Sequence, residues 1–144
     1  MVQVVARDLS DGLSDSDYQA LARFRHALRV FLRFSEQAAR QAGLTPHQHQ
    51  LLLAVRGWPG PETGPTIGDI ADQLQLAHHS VVELVDRAAR AGLVTRHTDP
   101  DDRRRQRVEL TAQGTSQIAA LSAAHREELR RFRDEMGDIL DELG

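Results

Sequence analysis

The stretch from Thr66 to Leu110 constrains the fold of this 144-residue chain more than any other. Thr66-Ile67-Gly68-Asp69 reads as a helix cap, and Ile67, Ile70, Ala71 and Leu74 fall on one helical face. Gln75-Leu76-Ala77 leaves room for a short turn only. A second helical pattern runs from His78 to Ala91 and stops at Gly92. At about 100° per residue, its Ala77, Val81, Leu84, Val85, Ala88 and Gly92 share one side. His79, Glu83, Asp86 and Arg90 take the opposite side, flanked by Ser80, Val82 and Arg87. Then Leu93–His97 and Arg107–Leu110 alternate around the turn Thr98-Asp99-Pro100-Asp101-Asp102, with Val94, Val108 and Leu110 directed inward. Two short helices, a tight turn and a hairpin make a winged helix-turn-helix.

Longer helices are expected on both sides. One starts after Ser14 or Ser16 and runs to Ala42, with Gly43 as its stop. Leu21, Phe24, Leu28, Leu32, Ser35, Ala39 and Ala42 recur at helical spacing, and Val30, Phe34 and Ala38 broaden the apolar arc. So broad an arc needs cover, either as a central helix of a monomer or in a dimer contact. The scarcity of other apolar helices favours the dimer. A helix follows from Thr45-Pro46-His47-Gln48, a capping box with proline at the first helical position, and ends near Arg56. The Gly57–Pro65 stretch, rich in glycine and proline, reads as a loop. Thr111 caps a last helical region through Leu143, with Ile118, Leu121, Leu129, Phe132, Met136, Ile139, Leu140 and Leu143 as its apolar positions and Gly137 as a candidate break. The expected fold class is mainly α with a small β-hairpin, one domain over 1–144. Its lobe spans 44–114, and its dimerisation helices span 14–43 and 112–144.

In a helix-turn-helix, side chains near the start of the second helix reach base edges in the major groove. His78, His79 and Ser80 can hydrogen-bond bases or phosphates, Val82 can touch a thymine methyl, and Glu83 can accept from cytosine N4. Arg87 and Arg90 suit phosphates. At the hairpin tip, Arg103, Arg104 and Arg105 suit the narrow minor groove, with neighbouring aspartates to orient them. The net charge of −3 argues weakly against DNA, but distribution decides. All 18 basic residues are arginines, and four of them (103, 104, 105 and 107) lie within five positions.

Composition narrows the rest. At 40 % hydrophobic and 27 % charged, the chain is globular rather than disordered. The absence of cysteine excludes disulfides, thiolate nucleophiles, cysteine-ligated zinc and thiol redox switches. No apolar run approaches the roughly 18–20 residues of a membrane span, and Met1–Ser10 lacks a leader pattern, so a cytoplasmic location is expected.

Residues 44–114 resemble the MarR family of winged helix regulators. The marks are Ile70-Ala71 with Leu74, Leu84-Val85-Asp86-Arg87 followed by Ala91-Gly92-Leu93-Val94, the wing Asp99-Pro100-Asp101-Asp102-Arg103-Arg104, and Leu110-Thr111 with Gly114. The resemblance implies a homodimer on a palindromic operator in double-stranded DNA, typically a repressor released by a small anionic or aromatic effector, with no cofactor. Many members carry threonine or arginine where this chain has Val82 and Glu83, and its C-terminal region is shorter. An effector pocket, by the same resemblance, is expected between the dimerisation helices and the lobe, with Phe24, Arg25, Leu28, Phe31, His49 and Leu53 as its walls. Those residues serve equally well as core.

Three rival readings remain. Seven histidines suggest a metal-responsive regulator, with a site assembled from His26, His47, His49 or His125 across helices or subunits. No pair has the helical i, i+4 zinc spacing, so no metal site is assigned. An enzyme is not expected, because no nucleophile elbow, phosphate loop or metal motif is present. A winged-helix interaction module without DNA binding fits the acidic charge and Glu83.

Overall fold

A computed structural model describes residues 12–143. Met1–Ser10, read above for a leader, lie outside these. The described residues form five helices and a two-stranded antiparallel sheet: α1 (Asp15–Gln41), α2 (Pro46–Arg56), α3 (Ile67–Leu74), α4 (His78–Arg90), β1 (Val94–Thr98), β2 (Gln106–Leu110) and α5 (Ala112–Glu142). Two compact units result, one over Glu36–Ala124 and the other from the described parts of Met1–Ser35 and His125–Gly144.

Within the central unit, local sequence sets most helix starts. Thr45 accepts from the Gln48 amide at 3.1 Å while the Gln48 side chain accepts from the Thr45 amide, and Pro46 fills the first helical position. Thr66 and Asp69 form the same reciprocal box for α3. Gln75 turns the chain between α3 and α4 in the left-handed region, at φ 54°. Helix α4 is the exception, since its cap residue, Ala77, supplies no side-chain hydrogen bond.

The core of this unit is closed by Leu51, Leu52, Ile70, Val81, Val85, Leu93, Val94 and Val108, all fully buried or nearly so. The expected packing side of α4 is seen at Val81, Leu84, Val85 and Ala88, although Ala77 is exposed. In the hairpin Val94 pairs with Leu110 and Arg96 with Val108. Val94 and Val108 are buried and Leu110 is half-buried, as the alternation predicts. Thr111 Oγ1 donates to the Gly92 carbonyl at 2.6 Å and accepts from the Gly114 amide at 3.0 Å, joining the base of the hairpin to α5. There a Cβ on Gly114 would stand 2.1 Å from the Leu93 carbonyl oxygen. Gly114→Ala must shift backbone, so a loss of about 2–3 kcal/mol is expected, read as a lower urea midpoint at unchanged slope.

In the other unit α1 and α5 meet. Ala20, Ala27 and Ile139 are buried, with Phe24, Phe132, Met136 and Leu143 packed on them. Phe31 lies 5.0 Å from Phe132 between ring centroids, and Arg23 is ion-paired with Glu142. His125 is buried, hydrogen-bonded to Ser35 at 3.0 Å and edge-on to Phe34. Helix α5 continues through Gly137 and corrects the expected break there. A glycine in a helix costs about 1 kcal/mol and does not by itself end one. Part of the apolar arc of α1 is uncovered in the single chain, with Leu21, Val30 and Leu32 exposed by 41, 51 and 47 %.

Candidate nucleic-acid interface

Helix α4 presents His78, His79, Glu83, Arg87 and Arg90 to solvent, while Ser80 and Val82 are half-buried. Val82 packs against the core, so its side chain is divided between the interior and the surface. Asp86, expected on the outward side, is instead ion-paired with Arg96 of β1. That pair joins the helix to the hairpin and removes Asp86 from the exposed set.

Grooves line both flanks of α4. One, of about 380 Å³, is walled by Ser80, Glu83, Leu84 and Arg87 with Thr45, His47, Gln48 and Leu76. The other, of about 330 Å³, brings His78 and Val82 of α4 together with Arg103, Arg104 and Arg105 of the hairpin tip, and with Thr66, Ile67 and Gln106. Residues 25 positions apart thus share one surface.

The tip arginines differ in their surroundings. Asp102 accepts Arg104 twice, Nε at 3.2 Å and Nη2 at 3.3 Å, and also accepts the Arg104 amide at 3.0 Å. Arg105 reaches the same carboxylate at 3.5 Å. These bonds from Arg104 hold the Asp102 carboxyl below its ordinary pKa, with a smaller contribution from the Arg105 charge. The Arg104 side chain is nevertheless 90 % exposed, a guanidinium fixed in direction yet open to a ligand. Arg103 has no ion pair among the described residues. Arg107, counted with these on sequence, points elsewhere, to Asp99 and the Gly64 carbonyl. The Asp101 amide, and then Arg107, depress the Asp99 pKa. Sequence reading did not single out Asp99 or Asp102 individually. The two-residue step from Asp102 to Arg104 was the available signal.

The helix-turn-helix and wing have counterparts among known proteins. Residues 42–105 match the MarR family. A solved MarR family transcription regulator, SP03579, is 28 % identical, with a TM-score of 0.69 over 81 % of this chain and 75 % of that one. Over its helix-turn-helix and wing the chain is similar to the MarR family. It is also similar to S. aureus MepR, solved in complex with DNA, at 25 % identity and a TM-score of 0.66 over 78 % of this chain and 80 % of that one. The uncharacterized HTH-type transcriptional regulator YcgE of Bacillus subtilis is 34 % identical over 64 % of this chain and 57 % of its own length. The chain spans under two thirds of the length of the first two curated relatives it matches, 66 % and 57 %.

MarR-family proteins are winged helix-turn-helix regulators rather than enzymes. In this chain, no described helix is long and apolar enough to cross a membrane. Among the described residues no three His, Asp or Glu side chains are grouped to hold a metal ion. Of the six expected pocket residues, Phe24, Arg25, Leu28 and Phe31 lie on α1 in one unit, and His49 and Leu53 on α2 in the other. Phe24 packs on the α1–α5 core and Arg25 is exposed. His49 is buried, and Leu53 lines a separate cavity of about 350 Å³ with Gln50, Ala54, Trp58 and Leu74.

Proposed function

We propose that this protein binds duplex DNA as a homodimer and regulates transcription. Helix α4 lies in the major groove, and the wing, β1 and β2 with their tip, reaches the adjacent minor groove. The observation that carries this reading is the shared groove, in which the first turn of α4 meets three arginines of the wing. MepR, a structural relative, has been solved with DNA. The missing side-chain cap on α4 points the same way, because uncapped amides at a helix start suit a phosphate.

Residue roles follow from placement. His78, His79, Ser80, Val82 and Glu83 read bases, Arg87 and Arg90 hold phosphates, and Arg103, Arg104 and Arg105 enter the minor groove. Residues 44–114 act as the DNA-binding lobe of a single domain, and 14–43 with 112–144 as the dimerisation helices. The exposed leucines of α1 and α5 support a second copy as the cover for that face. A two-fold dimer reads a palindromic operator. The regulator is a repressor released by a small aromatic or anionic effector. A bacterial-type regulator of this kind works in the cytoplasm, where its DNA is.

A salt series of duplex binding tests the reading. The logarithm of affinity should fall against the logarithm of salt with a slope steeper than about −4, given several phosphate contacts per protomer. An interaction module that has lost DNA shows no affinity to lose. Two substitutions refine the helix assignment. His79→Ala should change base preference at one position of each half-site and cost about 1–2 kcal/mol, measured against a panel of single-base operator variants. A uniform loss across the panel would make His79 a phosphate contact. Ala77→Asp should raise stability by about 1 kcal/mol by capping α4, and weaken DNA binding by placing a carboxylate beside phosphates. A thermal melt and a binding titration on the same sample read both signs.

A further inference from the structure

Arg107 is the wing arginine whose side chain turns inward. It is 13 % exposed, and its guanidinium has two partners in the same unit. Nε donates to Asp99 Oδ2 at 3.0 Å, and Nη1 donates to the Gly64 carbonyl oxygen at 2.6 Å. Asp99 is 3 % exposed and accepts from the Asp101 amide at 2.8 Å, while its own amide donates to the Arg105 carbonyl at 3.0 Å. The backbone is fastened beside the same place. Val108 donates to the Pro65 carbonyl at 3.0 Å, and Arg107 forms an isolated bridge with Thr66. Gly64 makes this approach possible, with φ at +87° and space so limited that a Cβ would stand 2.1 Å from the Val108 carbonyl oxygen. A continuous set of contacts therefore runs from the loop before α3, through Arg107 and Asp99, to the wing tip.

We propose that Arg107 is a positioning residue for DNA binding, holding the tip that carries Arg103, Arg104 and Arg105 in place without touching DNA itself. The proposal rests on the DNA-binding reading of the wing. A two-stranded hairpin is marginal without further support, and here the support comes from a planar fork that bridges a carboxylate and a carbonyl. Without Arg107 the buried Asp99 carboxylate loses its counter-charge, and the tip must open to hydrate it. A lysine offers one compact ammonium and does not reproduce the two-partner geometry.

The test uses the full chain and a fluorescein-labelled duplex that the wild type selects from a randomised library, titrated over a salt series. Arg107→Gln should bind about tenfold more weakly with an unchanged salt slope, and Arg107→Lys should stay near it. Arg104→Ala, a direct contact in each protomer, should instead lower the slope by about two. Gly64→Ala keeps Arg107 but disturbs its carbonyl partner, and should copy the Arg107→Gln pattern. By hydrogen exchange, the Asp101 and Arg105 amides should open faster in Arg107→Gln, while the Leu52 and Val85 amides keep wild-type protection. The proposal is overturned if Arg107→Gln lowers the slope as Arg104→Ala does, if Arg107→Lys restores full affinity, or if Arg107→Gln binds like wild type. A wild type with no salt-dependent duplex binding would sink the DNA reading itself, a separate result seen before any variant is made.

Discussion

Replacing Arg103 and Arg104 together with alanine should weaken operator binding by about 100-fold at moderate salt and lower the salt slope by about three to four. Both protomers of a dimer lose two cations, and each phosphate contact contributes about 0.9 to the slope. The two arginines act differently. Arg103 has no ion pair among the described residues, so its charge is available without breaking a competing one. Arg104 is held by two bonds to Asp102 with its side chain 90 % exposed, so little rotamer freedom is lost when a phosphate or a base edge arrives. Because neither side chain packs in the core, the unfolding free energy should stay within about 0.5 kcal/mol of wild type. A fall in affinity together with a fall in stability would point to a damaged hairpin rather than to lost contacts.

Leu32→Glu combined with Leu140→Glu should convert the dimer to a monomer and cost more than about 100-fold in operator affinity. Leu32 is 47 % exposed and Leu140 is 58 % exposed, so the lone chain tolerates both changes and keeps its helical content. At a dimer seam the same changes bury unpaired carboxylates, which cost several kcal/mol. Separated protomers then bind two half-sites independently and lose the effective concentration that tethering supplies. Light scattering at micromolar protein reads the mass, and circular dichroism reads the helix content. A double variant that stays dimeric would place the interface elsewhere.

Local rules recovered the helix starts at Thr45 and Thr66, because a capping box is complete within four residues. They also recovered the hairpin, where alternation put Val94 and Val108 inside. Contacts between distant residues set what they missed. Arg107 looks like its neighbours in sequence, yet its partners lie eight and 43 positions away. Asp86 was placed outward by its helical angle, and the strand carrying Arg96 then met it. Val82 lies at the edge of the buried face, where periodicity assigns a residue to one side although its side chain serves both. The expected pocket residues belong to helices in two units, so spacing within either helix says nothing about whether they converge.

Selection of DNA from a randomised duplex library by the full chain asks whether the protein recognises a palindromic operator. Enrichment of an inverted repeat is expected, with half-sites about one helical turn apart, roughly 10–10.5 base pairs centre to centre. An A·T-rich narrow minor groove is expected where the wings lie. Recovery of a library indistinguishable from its input, from protein that is folded and dimeric, would contradict operator recognition.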